Sequence, residues 1–85
     1  MAWATLMYYV YILRSKVTGK YYIGYTSDIR RRLQEHNSGR TKSLWKHRPL
    51  EIIRVEEYTV LQDARRRERQ IKDYKSGEAF KKLLK

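Results

Sequence analysis

The chain has 85 residues, with 20 Lys+Arg against 9 Asp+Glu for a formal net charge of +11, and no cysteine. A chain this short supports one modest core, hence one domain, and the lack of cysteine excludes a disulfide framework, a thiolate metal site and a thiol nucleophile. The cationic excess favours a polyanion, nucleic acid first, over a membrane surface, because no helical stretch pairs a bulky apolar face with a lysine-rich one. The plain alternative is a basic structural protein whose charge serves solubility.

The apolar start, Met1 to Leu13, lacks the basic n-region and small-residue cleavage site of a signal peptide, and nothing in the chain is long and apolar enough to span a bilayer. Residues 1–6 are expected to form a short leader, with Met7 an alternative natural start, ahead of a single domain over 7–85. A cytoplasmic location is expected.

Tyr8 to Arg14 and Lys20 to Tyr25 are β-rich runs separated by Ser-Lys-Val-Thr-Gly, a hairpin signal. Asp28 or Ser27 is the expected N-cap of a helix with apolar positions Ile29 and Leu33, ending near Asn37-Ser-Gly39. A polar loop, "RTKSLWKHRP", leads to a third strand over Leu50 to Tyr58. A second helix is expected from Thr59 or Val60 to about Lys75, and a short third helix from Glu78 to Leu84. The order β-β-α-β-α-α implies an α+β fold, a small three-stranded, mainly antiparallel sheet flanked by helices.

Alternation along the strands puts Tyr9, Tyr11 and Leu13 on one face, and a four-residue hairpin loop pairing Ser15 with Lys20 sets Tyr11 opposite Gly24, on the same face as Tyr22. Two readings apply: open space beside a phenol, or a strand-end glycine with tyrosines packed on the core. On the first helix Arg32 and His36, four apart, project from one face. Three consecutive arginines fan over about 200°, so Arg32 borders the apolar line while Arg30 and Arg31 lean to solvent. On the second helix Leu61, Ala64, Ile71 and Tyr74 form the apolar stripe, and Glu68 falls on it amid Arg65, Arg66, Arg67 and Arg69. An inward carboxylate needs a cation. Either a salt bridge to Arg32 or Arg48 or a hard divalent metal answers that need.

Taken in order, Tyr9-Val10-Tyr11, Tyr22-Ile23-Gly24, "RRRLQEHN" and a glutamate on a later helix resemble the GIY-YIG nuclease family, over essentially all of the chain from Tyr8. The likeness is nearest to the small stand-alone bacterial branch (UPF0213-like) and to the catalytic domain of a junction-cutting, structure-selective endonuclease. The resemblance implies a metal-dependent phosphodiester hydrolase that leaves 5′-phosphate and 3′-hydroxyl ends. It also implies a catalytic set of Tyr11, Tyr22, Arg32, His36 and Glu68, with Gly24 as a structural motif residue and Glu68 holding Mg²⁺ or Mn²⁺. Two departures from the family pattern stand out. Tyr9 replaces the glycine of the first motif, and the asparagine that follows the glutamate in several relatives has no match near Lys72 to Ser76.

Hydrolysis asks for an attacking water, a charge clamp on the phosphoryl oxygens and help for the leaving oxygen. Arg32 supplies a planar, permanently charged fork. A tyrosine near its ordinary pKa of ~10 must be lowered by the neighbouring arginine and metal before it serves as a base at neutral pH, with His36 as a hydrogen-bonding neighbour. Arg14, Lys16, Lys20, Arg40, Lys42, Lys46 and Arg48 are the candidate phosphate-backbone contacts, and Trp45 and Tyr25 the candidate base-stacking residues. The expected activity is that of a DNA endonuclease or nickase selective for structure or ends (branched, nicked or single-stranded), with a repair or recombination role and a possible protein partner. The alternative is a nucleic-acid-binding module whose catalysis is slow or lost.

Overall fold

The computed structural model describes residues 6–39, 46–74 and 77–84. Tyr8 to Ser15 alternates aromatic and branched side chains and forms β1. It is followed by β2 (Tyr21–Thr26), α1 (Ile29–Asn37), β3 (Leu50–Tyr58), α2 (Leu61–Tyr74) and α3 (Glu78–Leu83). The sheet is antiparallel in the order β2-β1-β3, so the aromatic-rich first strand is central. The α+β architecture and element order are those expected, with boundaries shifted by a residue or two at β1, β2, α2 and α3. Arg40, Lys42, Trp45 and residues 1–5 of the expected leader lie outside the described residues.

Ser15 sets the hairpin. Its amide donates to the Lys20 carbonyl at 2.9 Å, while its buried Oγ accepts from the amides of Val17 and Thr18 and donates to the His47 carbonyl at 2.7 Å. The turn closes at Gly19, whose φ of 76° is costly for a residue with a β-carbon. The resulting register pairs Tyr11 with Gly24 and Val10 with Tyr25. On the other side of β1 the ladder to β3 shifts between Ile12 and Leu13, leaving Ile53 as the extra residue.

The two faces of β1 then feed two cores. Val10 and Ile12 pack with Ala64, Ile71 and Phe80 of α2 and α3, whereas Tyr11 and Leu13 pack with Leu50, Tyr22, Ile29 and Leu33 under α1. Each fully buried aliphatic side chain contributes roughly 1.5–3 kcal/mol. Leu61, expected on the buried stripe of α2, is exposed at the first position of the helix; the buried residues of α2 are Ala64 and Ile71. Tyr25, a candidate base-stacking residue, packs half-buried against the α2–α3 core; its pairing with Val10 fixes it on that face.

Side chains lock the helices to the sheet. Asp28 caps α1 by accepting from the Arg31 amide at 3.0 Å. At the other end of α1, Asn37 Oδ1 accepts from the Leu50 amide at 2.7 Å and its Nδ2 donates to the Leu50 carbonyl at 3.2 Å. Glu56 on β3 gathers Arg54, Tyr58 and Arg67, the last through two bonds of 2.8 and 3.1 Å. Burial alone would raise this carboxyl, but the hydrogen bonds from Arg67, Arg54 and Tyr58 outweigh it and bring the pKa down to about 2. The clamp holds α2 against β3, and Arg54 also reaches the Leu83 carbonyl of α3 at 3.5 Å.

Candidate active site

Tyr11 is the centre of the site. Gly24 has no side chain, and the phenol of Tyr11 fills the space above it: a β-carbon built there would overlap the hydroxyl and lie 2.7 Å from Cζ. The space beside Gly24 is therefore occupied by the phenol itself, which is only 6% exposed. Its hydroxyl lies 3.5 Å from Nε2 of His36, with the two rings tilted at 53° and their centroids 6.3 Å apart. His36 is the buried residue of α1, held there by the inward face it shares with Leu33 and Arg32.

Three charges are felt at the same hydroxyl. Burial raises the Tyr11 pKa, the Arg32 guanidinium opposes that rise, and the carboxylates of Glu68 and Glu35 reinforce it. Arg32 on α1 and Glu68 on α2, helices that pack on opposite faces of the sheet, thus both act at one phenol. The net shift is upward, and Tyr22 is also raised by burial. Among the protein's own groups desolvation outweighs the arginine, so both phenols stay protonated; of the arginine and metal expected to lower a tyrosine, the arginine by itself does not suffice. His36 moves the other way. Burial and the Arg32 guanidinium lower its pKa against the pull of Glu35, so the imidazole is neutral at pH 7.

Arg32 carries a second anomaly. Its Nε is buried with no hydrogen-bond partner, a state that costs about 1–3 kcal/mol and that an anion's oxygen would relieve. Arg30 and Arg31 are exposed, and Arg31 approaches Glu35 at 3.6 Å. Glu68 has a side chain 18% exposed and pairs with Lys72, one turn on at 3.3 Å. The sequence reading overlooked that i, i+4 pair because it sought a partner across the fold.

Among the described residues no three His, Cys, Asp or Glu side chains gather as a metal cage. One half-buried carboxylate suits a hard cation that keeps most of its waters and takes its other ligands from phosphate; it does not suit a metal that needs nitrogen or sulfur.

Residues 7–81 match the GIY-YIG catalytic domain. The chain belongs to the GIY-YIG family. It is therefore a domain of a nuclease family, and its strand and helix order agrees with that of a similar GIY-YIG-like structure. That neighbour is the solution NMR structure of the UPF0213 protein BH0048 from Bacillus halodurans, at TM-score 0.53 and 32% identity over 92% of this chain and 81% of that one. A UPF0213 protein of Staphylococcus epidermidis is 34% identical over 89% of this chain and 93% of its own length. One from Halobacterium salinarum is 37% identical over 78% and 86% respectively.

In this GIY-YIG chain the remaining sequence candidates scatter. Tyr22 lies on the Tyr11 face and packs against the same cluster, its ring 5.4 Å from that of His47. Lys20 and Lys46 are exposed and Arg48 is half-buried. Lys16 approaches Glu51 at 3.9 Å and Arg14 at 4.0 Å, with Arg14 on the face opposite Tyr11. His47 was missed by the sequence reading. It is placed beside Tyr22 because Ser15 holds its carbonyl and Thr18 Oγ1 lies 3.2 Å from its Nδ1, contacts that span about thirty residues. The only signal for it was that the chain has two histidines.

Proposed function

We propose that this GIY-YIG domain is a divalent-metal-dependent DNA endonuclease or nickase, selective for DNA structure or ends and acting in repair or recombination. The observation that carries the reading is the buried Tyr11 hydroxyl 3.5 Å from Nε2 of His36, on the same helix as Arg32 with its buried, unpartnered Nε; the charges of Arg32 and Glu68 are both felt at that hydroxyl. Charge, proton donor and proton acceptor together are what phosphodiester hydrolysis requires.

Arg32 clamps a non-bridging phosphoryl oxygen, and its unpartnered Nε supplies a donor already desolvated before substrate arrives. Tyr11, protonated, orients the attacking water by accepting from it while its own O–H donates to His36. His36, neutral, accepts a proton through its contact with Tyr11 or from the water directly. Tyr22, on the same face, donates toward a phosphate oxygen with His47 packed against it. Glu68 holds Mg²⁺ or Mn²⁺, which when bound supplies Lewis-acid stabilisation to the phosphoryl and leaving oxygens. Lys16, Lys20, Lys46 and Arg48 contact backbone phosphates, and the small size of the domain leaves room for a protein partner in choosing the DNA.

The engagement of Glu68 by Lys72 favours a second reading, a nucleic-acid-binding module with slow turnover. One experiment decides between them. Purified protein is incubated with nicked, flapped, branched and linear DNA in Mg²⁺, Mn²⁺ or EDTA. Metal-dependent cutting abolished by Glu68→Ala and by Arg32→Ala is the expected result. DNA binding without product in any metal establishes the module instead.

A further inference from the structure

The four arginines that crowd Glu68 in sequence do not share one environment. Arg67 is bound into the Glu56 clamp and to Gln70 at 2.7 Å. Arg65, Arg66 and Arg69 are exposed and make no ion pair or hydrogen bond among the described residues, although Asp63 and Asp73 lie within a helical turn of them. Together with Gln62 they line a shallow groove of about 290 Å³.

Their angular placement gives the groove a direction. At 100° per residue, Arg67 lies ~100° from Glu68 on the side turned to β3, whereas Arg65 and Arg69 lie ~60° and ~100° away on the opposite side, with Arg66 ~160° away beyond them. Buried Ala64 and Ile71 fall between Arg67 and Glu68. A continuous cationic path therefore leads from Glu68 around the outer surface of α2. Like charges three and four residues apart repel on a helix; Asp63, three before Arg66, and Asp73, four after Arg69, stand near them without forming an ion pair among the described residues.

We propose that Arg65 and Arg69, with Arg66 behind them, form a phosphate-binding ridge that lays a nucleic-acid backbone along α2 beside Glu68. The ridge rests on the reading of the domain as a nuclease or nucleic-acid binder. It adds a second surface, on a different helix from Arg32, so the strand is held on both sides of the scissile position. The occupant is a polyanion with regularly spaced charges: three of the four residues that line the groove are arginines, and the chain carries +11 overall.

The test is the salt dependence of binding to a fluorescein-labelled flapped DNA in EDTA, where cutting does not interfere, followed by anisotropy from 25 to 250 mM KCl. Glutamine keeps helix propensity, so Arg65→Gln/Arg69→Gln should melt no lower than the parent, relieved of the mutual repulsion. Its log Kd against log salt slope should fall by about 2, one per lost phosphate contact. The comparison variant Lys81→Gln/Lys82→Gln removes the same charge from α3 and should leave the slope nearly unchanged. A slope unaltered by the arginine substitutions while the parent binds DNA overturns the ridge alone. An equal fall in the lysine variant also overturns it, since net charge then explains binding. A parent with no DNA binding at 25 mM salt overturns the ridge and the nuclease reading together.

Discussion

The ring of Tyr11 lies across Gly24 of the neighbouring strand, 2.7 Å from where a β-carbon would sit. Gly24 does not have a positive φ, so its requirement is steric. Gly24→Ala should destabilise the domain by about 1–3 kcal/mol through overpacking and abolish cleavage by displacing the phenol. In a Tyr11→Ala background the same substitution should be neutral or slightly stabilising, since alanine suits a strand better than glycine. Urea unfolding of the four proteins in this cycle reads the coupling; additive effects would show that the two residues do not compete for the space.

Arg32 trades stability for an available donor. Arg32→Met removes a buried N–H that lacks a partner, so the variant should unfold at equal or higher urea concentration, by up to about 1 kcal/mol, while losing cleavage by a factor of roughly 10² or more. Arg32→Lys keeps the charge without the fork and should recover little activity. A methionine variant much less stable than the parent would mean the guanidinium is a structural strut.

Cleavage should fall in acid because of His36. Burial and Arg32 hold its pKa below the ordinary ~6.5. The neutral form therefore persists through pH 6.5, and rate should decline only at lower pH as the imidazole takes up a proton. The unfolded chain binds that proton first, so the same group also costs the fold stability as pH drops below ~6.5. Rate measured from pH 5 to 8 should show this acid limb in the parent and lose it in His36→Gln, whose residual rate should be low and flat.

The Glu56 clamp sets the acid limit of the fold. Its carboxyl is depressed to about 2 from an unfolded value near 4.5, so its contribution is complete above that value and lost as pH falls through the window between the two. Glu56→Gln should lower stability at pH 7 by roughly 2–4 kcal/mol, because Arg54 and Arg67 lose the carboxylate charge and one of its two oxygens becomes an NH₂ donor facing them. Parent and variant should converge in stability toward pH 2. Thermal melts at pH 7, 4 and 2.5 test this.

Local rules were enough for much of the architecture. Period-2 runs, a hairpin loop of fixed length and the Asp28 cap specify β1, β2 and α1, and the hairpin length alone implies that Tyr11 faces Gly24, because register in an antiparallel pair follows from one known pairing. Helical spacing likewise separates Arg32 and His36 from Arg30 and Arg31. Beyond the elements, distance along the chain stops being a guide. That His47 would meet Tyr22 and that Arg67 would reach across to Glu56 depend on which surfaces pack together. The protonation states were least legible of all. The residue types suggested a tyrosine activated by an arginine and a metal together, but the share of the protein's own groups is a balance between burial and charge at a given depth, and that depth is a property of the packed fold.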